Sequence, residues 1–384
     1  MSSQNAPLAG LKVIELARIL AGPWIGQTLA DLGADVIKVE SPDGDDTRTW
    51  GPPFIGEGPE RAAAYFHACN RGKRSIAADF SQADDREMVC ALIASADVVI
   101  ENFKVGGLAK YGLDYQSLSA INPRLVYCSV TGFGQDGPYA KRAGYDFMIQ
   151  GMSGIMDLTG EPDGPPQKIG VAFADIFTGL YGVIAIQAAL AQRERTGEGQ
   201  YIDMALFDCM AAVLANQAMN YAASGIAPTR MGNVHPNIAP YQTFAVADGH
   251  VIIACGNDGQ FARLCEVLDL ADLPKQESFA TNAARVANRG ALVAAMEART
   301  KRFARDDLLQ ALEKATVPAG PINTVADLFA DPQFIFREMK IMPEGVAGLR
   351  TPIRFSRAAL ATGRRAPHLD EHREEILAEL KTDG

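Results

Sequence analysis

Histidine is scarce in this 384-residue chain, with five in all, and its six cysteines are unpatterned. Cys69, Cys90, Cys128, Cys209, Cys255 and Cys265 are scattered without a Cys-x-x-Cys pair, so neither a disulfide framework nor a zinc site follows. His368 and His372 stand four apart, but in a charged tail with no third ligand, and a solvated helix is expected there instead of a metal. Gly-x-Gly-x-x-Gly is missing as well. The first turn reads Ala21-Gly-Pro-Trp-Ile-Gly26, with Pro23 where backbone amides would have to face a pyrophosphate, which argues against a nicotinamide cofactor. No apolar run approaches the roughly 20 residues of a membrane-spanning helix. Residues 1–10 lack the basic and apolar regions of a secretory signal. The expectation is a cytoplasmic protein that does not cross a membrane. Positive charge is in deficit, 36 Lys and Arg against 46 Asp and Glu, for a formal net charge of −10. That balance disfavours nucleic acid and anionic membranes and leaves room for a local basic pocket.

What is present is a globular composition, 48% hydrophobic and 21% charged, long enough for two domains. Leu11–Leu16 reads as a buried strand, Gly22–Leu32 as a helix and Asp35–Val39 as a second strand, a β-α-β unit. The alternation continues through strand Arg74–Asp79, helix Asp84–Ala94, and strands Val98–Ile100 and Leu125–Val130. The predicted fold class is α/β: a doubly wound, mostly parallel, Rossmann-like sheet forming a large domain, with a smaller α+β domain. The large domain is assigned to residues 1–215, completed by 335–384, and the small one to 235–325, with linkers at 216–234 and 326–334. Ile176–Arg193 and Met204–Ala223 read as long apolar helices. Tyr241–Ala254 reads as two short strands, followed by helices at Gln260–Leu268, Asn288–Arg299 and Arg305–Ala315. Ligands of such sheets bind beyond the carboxyl ends of the strands, where Glu40-Ser41, Asn102-Phe103 and Thr131-Gly132 fall.

The chemistry centres on Val171-Ala-Phe-Ala-Asp-Ile-Phe-Thr-Gly179, which places the carboxylate of Asp175 among small and apolar neighbours where a long helix begins. An aspartate there is expected to be ionised, favoured by the helix dipole, and to serve as a nucleophile. Attack on a thioester would give an anhydride and then an aspartyl thioester, without metal or histidine. From these residues alone a helix cap is an equal alternative.

Asp175 has company: Leu20-Ala-Gly-Pro23, Leu29-Ala-Asp-Leu-Gly-Ala-Asp-Val-Ile-Lys-Val-Glu40, Gly44-Asp-Asp-Thr-Arg48, Val99-Ile-Glu-Asn-Phe103 and Ala143-Gly-Tyr-Asp146. In this order, from about Leu8 to Asp370, the motifs resemble the family III coenzyme A transferases of the CaiB/BaiF type. The resemblance implies that Asp175 accepts the acyl group and that coenzyme A passes from an acyl-CoA to a free carboxylic acid. It maps coenzyme A contacts onto Leu20, Ala21, Ala78, Asn102, Phe103, Lys104, Lys110, Ala143, Gly144, Tyr145 and Asp146. Lys110 is the expected phosphate partner, with Arg71, Lys73, Arg74, Lys141 and Arg142 as further cationic candidates. Gly256, Asn257, Gly259 and Gln260 occupy the place of the family's glycine-rich loop, which would close over the intermediate and exclude water. A tight turn before a helix is the plainer alternative for that loop. An interlocked homodimer is also implied. Leu20 and Ser41 stand where formyl-CoA transferase has glutamine and arginine, which weakens an oxalate or formyl assignment.

Gly44-Asp-Asp-Thr-Arg-Thr-Trp-Gly-Pro-Pro-Phe54 and Val317-Pro-Ala-Gly-Pro-Ile-Asn323 resemble the succinate–hydroxymethylglutarate CoA-transferase branch. This suggests succinyl-CoA as donor and a dicarboxylate acceptor, whose second carboxylate Arg48 or Arg230 would hold. α-Methylacyl-CoA racemase shares the fold and is the alternative. Racemases carry Gly-His-Asp, however, where this chain has Gly144-Tyr145-Asp146, and a phenol is a poor base near pH 7. His235, in a polar loop, is either structural or directed at the acyl group.

Overall fold

The computed structural model describes residues 5–383, which form two compact units. The first comprises the described residues of Met1–Met156, then Lys168–Ile226, then the described residues of Pro332–Gly384; the second comprises Asp157–Gln167 and Ala227–Asp331. Asp157–Gln167, taken with the large domain in the sequence reading, thus packs in the smaller unit.

In the first unit the chain runs β1 (Lys12–Glu15), α1 (Ala21–Asp31), β2 (Asp35–Glu40), α2 (Ala64–Cys69), β3 (Arg74–Ala77), α3 (Ala83–Ala94) and β4 (Val98–Glu101). It continues through α4 (Tyr115–Ile121), β5 (Val126–Thr131), α5 (Asp146–Met152), α6 (Phe173–Thr196), β6 (Gln200–Ala205), α7 (Leu206–Ala212) and α8 (Ala215–Ser224). The six strands lie in the order β3-β2-β1-β4-β5-β6, all neighbours parallel. Strand order therefore reverses beside β1, the kind of position where doubly wound sheets hold ligands. Fully buried Val13, Ile25, Leu29, Val98 and Ile100 belong to the core on one face, and Ile14, Ile37, Ile76, Val99 and Leu92 to that on the other. Strands buried on both faces are why β1, β2 and β4 read as unbroken apolar runs.

Two features differ from expectation. Gln200–Ala205 is a sixth strand, paired with β5, and the expected helix Met204–Ala223 is broken between α7 and α8, where Ala215 has φ +47°. Tyr201, Ile202 and Met204 interleave with Asp203 as an edge strand requires, a weaker signal than the buried strands give. Helix α6 runs 24 residues and by length and composition is apolar enough to cross a membrane. In the fold it packs against α1, α5, α7 and β5.

Glycine sets how closely α6 lies on α1. A Cβ at Gly182 would stand 2.4 Å from Ile25 Cδ1, and one at Gly179 would stand 3.1 Å from the Ala21 carbonyl. This close crossing brings the first turn of α6, with Asp175, to the same end of the sheet as the start of α1.

The second unit has a three-stranded antiparallel sheet, β7 (Tyr241–Val246), β8 (Gly249–Ala254) and β9 (Ala319–Pro321), with β8 central. Helices α9 (Asp258–Val267), α10 (Asn282–Ala287), α11 (Arg289–Thr300) and α12 (Arg305–Lys314) accompany it around Phe244, Phe261, Leu264, Met296 and Leu308. The chain closes in the first unit with α13 (Arg373–Asp383).

Candidate active site

Asp175 lies in the first turn of α6, and that end of the helix is capped by another residue. Asp146, opening α5, accepts the Ala174 N–H through Oδ1 at 2.8 Å and the Gln150 Nε2–H through Oδ2 at 2.8 Å. Gln150, fully buried, accepts the Ile169 N–H through Oε1 at 2.9 Å. Asp146 and Gln150 thus clamp the segment that leads into Asp175. The consequence is electrostatic. Burial, reinforced by the negative charge of Asp146, pushes the Asp175 carboxyl up to about 7, so it is poised between acid and carboxylate instead of fully ionised as expected. Tyr65 on α2 feels the same field. Burial first, and then the charge of Asp175, push its phenol up to about 12, so it stays a donor. Nothing in the local sequence marked Tyr65.

The chain from β1 into α1, residues 17–20, is held on several sides. Lys38 Nζ donates to the Ala17 carbonyl at 2.8 Å. Asn102 accepts the Arg18 N–H through Oδ1 at 3.0 Å and donates from Nδ2 to the Arg18 carbonyl at 2.6 Å. The Ile19 N–H donates to the Asp45 carboxylate at 3.2 Å. Ile19 is held at φ +73°, a conformation a β-branched residue adopts at a cost of about 1–3 kcal/mol and only when its surroundings over-determine it. Below lies a buried ion cluster: Lys38 and Lys73 share Glu15, Lys73 at 2.8 Å and Lys38 at 3.1 Å, and Lys38 also meets Asp45 at 3.0 Å. Gly26 leaves room for it, since a Cβ there would stand 1.7 Å from Glu15 Oε2.

Beside this loop, at the carboxyl ends of β1 to β3, is a cavity of about 220 Å³. Ala78 and Phe103, both expected coenzyme contacts, line it, with Arg18, Ser41, Asp79, Phe80 and Tyr111. Three of these are an aromatic cluster, Phe80 to Phe103 at 6.2 Å and Phe80 to Tyr111 at 5.8 Å between ring centres. Leu20 and Ala21 are buried at the start of α1, and Asn102 acts on the backbone of Arg18. Lys110 lies over the Tyr111 ring, 4.5 Å from its centre. Lys104 faces a different cavity of about 300 Å³, lined by Tyr115, Tyr127, Tyr201 and Glu101, whose carboxyl burial pushes up to about 7. Gly144 is needed for close approach: a Cβ there would stand 2.4 Å from Gly132 Cα. Tyr145 is 66% exposed, and Arg142 lies over Tyr139, 4.6 Å from the ring centre.

Several cationic candidates are engaged elsewhere. Arg48 cannot be the dicarboxylate's partner in this arrangement: Nε and Nη2 donate to Glu40 at 2.8 and 2.7 Å, and the guanidinium stacks 3.7 Å from the Phe66 ring centre. Arg71 pairs with Asp31, Lys73 with Glu15, and Arg74 with Asp35, Glu375 and Glu379, so all three are structural. In the second unit Arg230 pairs with Asp157 at 2.7 Å. His235 accepts the Asn237 N–H through Nδ1 at 3.1 Å and packs on Tyr241, a structural arrangement. Gly256 and Gly259 have ordinary φ. Asn257 caps α9 by accepting the Gln260 N–H at 2.9 Å, while Gln260 Oε1 accepts the Gly256 N–H at 2.7 Å. Among the described residues no three His, Cys, Asp or Glu side chains converge on a metal position.

Comparison with known proteins agrees with this geometry. Residues 8–373 match the family described as CoA-transferase family III. The succinate–glutarate CoA-transferase of Agrobacterium fabrum is 56% identical, over 100% of this chain and 98% of that protein. The succinyl-CoA:glutarate CoA-transferase of Homo sapiens is 40% identical, over 97% of this chain and 86% of that one. The crystal structure of a CAIB/BAIF family protein from Brucella suis superposes with a TM-score of 0.89 at 73% identity, covering 98% of this chain and 100% of that one.

Proposed function

The chain belongs to CoA-transferase family III, and from that premise we propose that it moves coenzyme A from succinyl-CoA to a free dicarboxylic acid, glutarate foremost, through Asp175. The observation that carries this reading is the placement of Asp175: a clamped carboxyl, raised to about 7, on the helix that crosses closest to the coenzyme-side loop. The related enzymes named for succinate and glutarate supply the substrate class.

In the proposed reaction an Asp175 oxygen attacks the thioester carbonyl of succinyl-CoA. The carbon–sulfur bond breaks, and the products are a succinyl-aspartyl anhydride and the CoA thiolate. The thiolate attacks the aspartyl carbonyl, releasing succinate and leaving an aspartyl-CoA thioester. A carboxylate of the acceptor displaces the thiolate to form a second anhydride, and the thiolate then takes the acceptor's acyl group, regenerating the Asp175 carboxylate. The chain needs the CoA contacts at Leu20, Ala21, Ala78, Asn102 and Phe103 to hold the thiolate within reach between steps. Closure of the loop Gly256–Gln260 over the intermediate, the enzyme's cytoplasmic location and its independence of metal and nicotinamide complete the reading. So does an interlocked homodimer, supported by Leu180, Tyr181 and Ile184 of α6, which are 42%, 40% and 63% exposed in the single chain.

The test is peptide mass spectrometry after mixing with succinyl-CoA and trapping with hydroxylamine. The label is expected on the peptide carrying Asp175 in wild type and absent in Asp175→Ala. Equal labelling of both proteins, or transfer activity retained by Asp175→Ala, would overturn the mechanism.

A further inference from the structure

Resting on the coenzyme A reading, the inference concerns how the cavity beside β1 to β3 tolerates an anionic ligand at all. It is lined by the carboxylates of Glu40, Asp45 and Asp79, in a chain of net charge −10. Two of the three are neutralised internally. Glu40 accepts two bonds from Arg48, and Asp45 pairs with Lys38. Despite burial, those cations hold both carboxyls below their ordinary values, so both stay ionised and paired. Asp79 accepts the Ser81 N–H at 2.8 Å and is the remaining anion of the lining.

Among the described residues lining the cavity the cations are Arg18 and Lys38. Lys38 is fully buried, and Glu15, Asp45 and the Ala17 carbonyl occupy its ammonium. Arg18 is different. Its backbone is latched on both sides by Asn102, at 3.0 and 2.6 Å, so the side chain starts from a fixed point at the end of β1. Its guanidinium is 60% exposed and meets only a surface carboxylate, Asp46 at 3.0 Å, itself 51% exposed. An exposed pair of this kind contributes little and is readily given up to a stronger anion, whereas a guanidinium binds a phosphate through paired N–H donors. Lys110 rests over Tyr111 and Lys104 faces the other cavity; neither lines this one.

We propose that Arg18 is the phosphate-binding cation of the nucleotide end of coenzyme A, with Asp46 holding the guanidinium in place until the phosphate displaces it. Phe80, Phe103 and Tyr111 then offer the apolar aromatic wall that the adenine ring requires. The shared chemistry is a phosphate ester, and the 3′-phosphate and the 5′-diphosphate of the coenzyme are its two sources.

Equilibrium binding of CoA and of 3′-dephospho-CoA to the full-length wild type, Arg18→Ala, Arg18→Lys and Asp46→Asn tests this. Arg18→Ala is expected to raise the Kd for CoA about tenfold or more, Arg18→Lys by less, and Asp46→Asn to lower it a few-fold, because a competing anion has gone. If the Arg18→Ala penalty vanishes with 3′-dephospho-CoA, the 3′-phosphate is the partner; if it persists, the diphosphate is. An unchanged Kd in Arg18→Ala overturns the proposal. So does equal weakening in Arg18→Ala and Asp46→Asn, which would assign the effect to loss of the ion pair. Failure of the wild type to bind either compound would instead overturn the coenzyme A reading itself.

Discussion

Asp175 must be ionised to attack a thioester, yet burial and the Asp146 charge favour its protonated form. The sign of two pH effects follows. Below about 7 the reactive carboxylate is a minority species, so kcat/KM for acyl-CoA should rise close to tenfold per pH unit from pH 5 and level above pH 7. Stability should run the other way. In the unfolded chain the group ionises near 4 and in the folded chain near 7, so the folded state is penalised progressively as pH rises between those values and by a constant amount above. Asp175→Asn should therefore match wild type in urea unfolding at pH 4 and exceed it at pH 8 by on the order of 1–3 kcal/mol, after allowance for solvent screening. A flat rate profile between pH 5 and 8, or an Asn variant no more stable at pH 8 than wild type, would remove the claim that the carboxyl is held near neutrality. Asp175 was legible in the chain because its neighbours are distinctive. Its protonation was not, because Asp146 acts from 29 positions away through the fold. Arg48 failed as a substrate cation for a similar reason: its partner Glu40 ends a different element, and no spacing rule joins the two.

At the scale of elements, the buried strands β1 to β5 could be read from apolar runs bounded by polar turns, and their parallel order from the intervening helices. Edge strand β6 was taken for loop and the start of a helix because one face of it stays polar. The loops that build the site carry no periodicity, and only contact explains their glycines. Gly132 follows β5 and Gly144 precedes α5, and the two backbones touch so closely that neither position has room for a methyl group. This contact fixes where α5 begins, hence where Asp146 meets the Ala174 N–H. Gly144→Ala should shift that clamp, and displacements of about 1 Å in a catalytic constellation lower rates by about 10²-fold. We expect kcat to fall by one to two orders of magnitude in Gly144→Ala with the fold retained. Gly290→Ala, at a position where a Cβ meets nothing within 4 Å, should leave kcat unchanged. Equal kcat in the two variants would show that the Gly132–Gly144 contact does not position the clamp.

On the scale of the whole molecule, the large sheet is closed by the last part of the chain, which returns across some 300 residues to cover edge strand β3. There the Ala77 N–H donates to Asp370 Oδ1 at 2.7 Å, the Ser75 N–H to His372 Nδ1 at 3.2 Å, and the His372 N–H to the Ser75 carbonyl at 3.0 Å. Arg74 meets Glu375 at 3.0 Å and Glu379 at 2.8 Å, and Ile376 is fully buried in the sheet core. A chain ending at His368 would lose all of these at once. It would strand two backbone donors and one acceptor at about 1–3 kcal/mol each where water does not reach them. It would also open a hole at Ile376, worth about 2–5 kcal/mol by analogy with large-to-small core changes. Because a domain's whole margin is about 5–15 kcal/mol, the truncated protein should unfold at markedly lower urea or collect in the insoluble fraction as the bare edge of β3 pairs between copies. Replacing Glu375 and Glu379 together with glutamine removes only half-exposed ion pairs and should cost about 1 kcal/mol. A truncated chain with the urea midpoint of the full-length protein would mean that the C-terminal segment decorates the sheet without stabilising it.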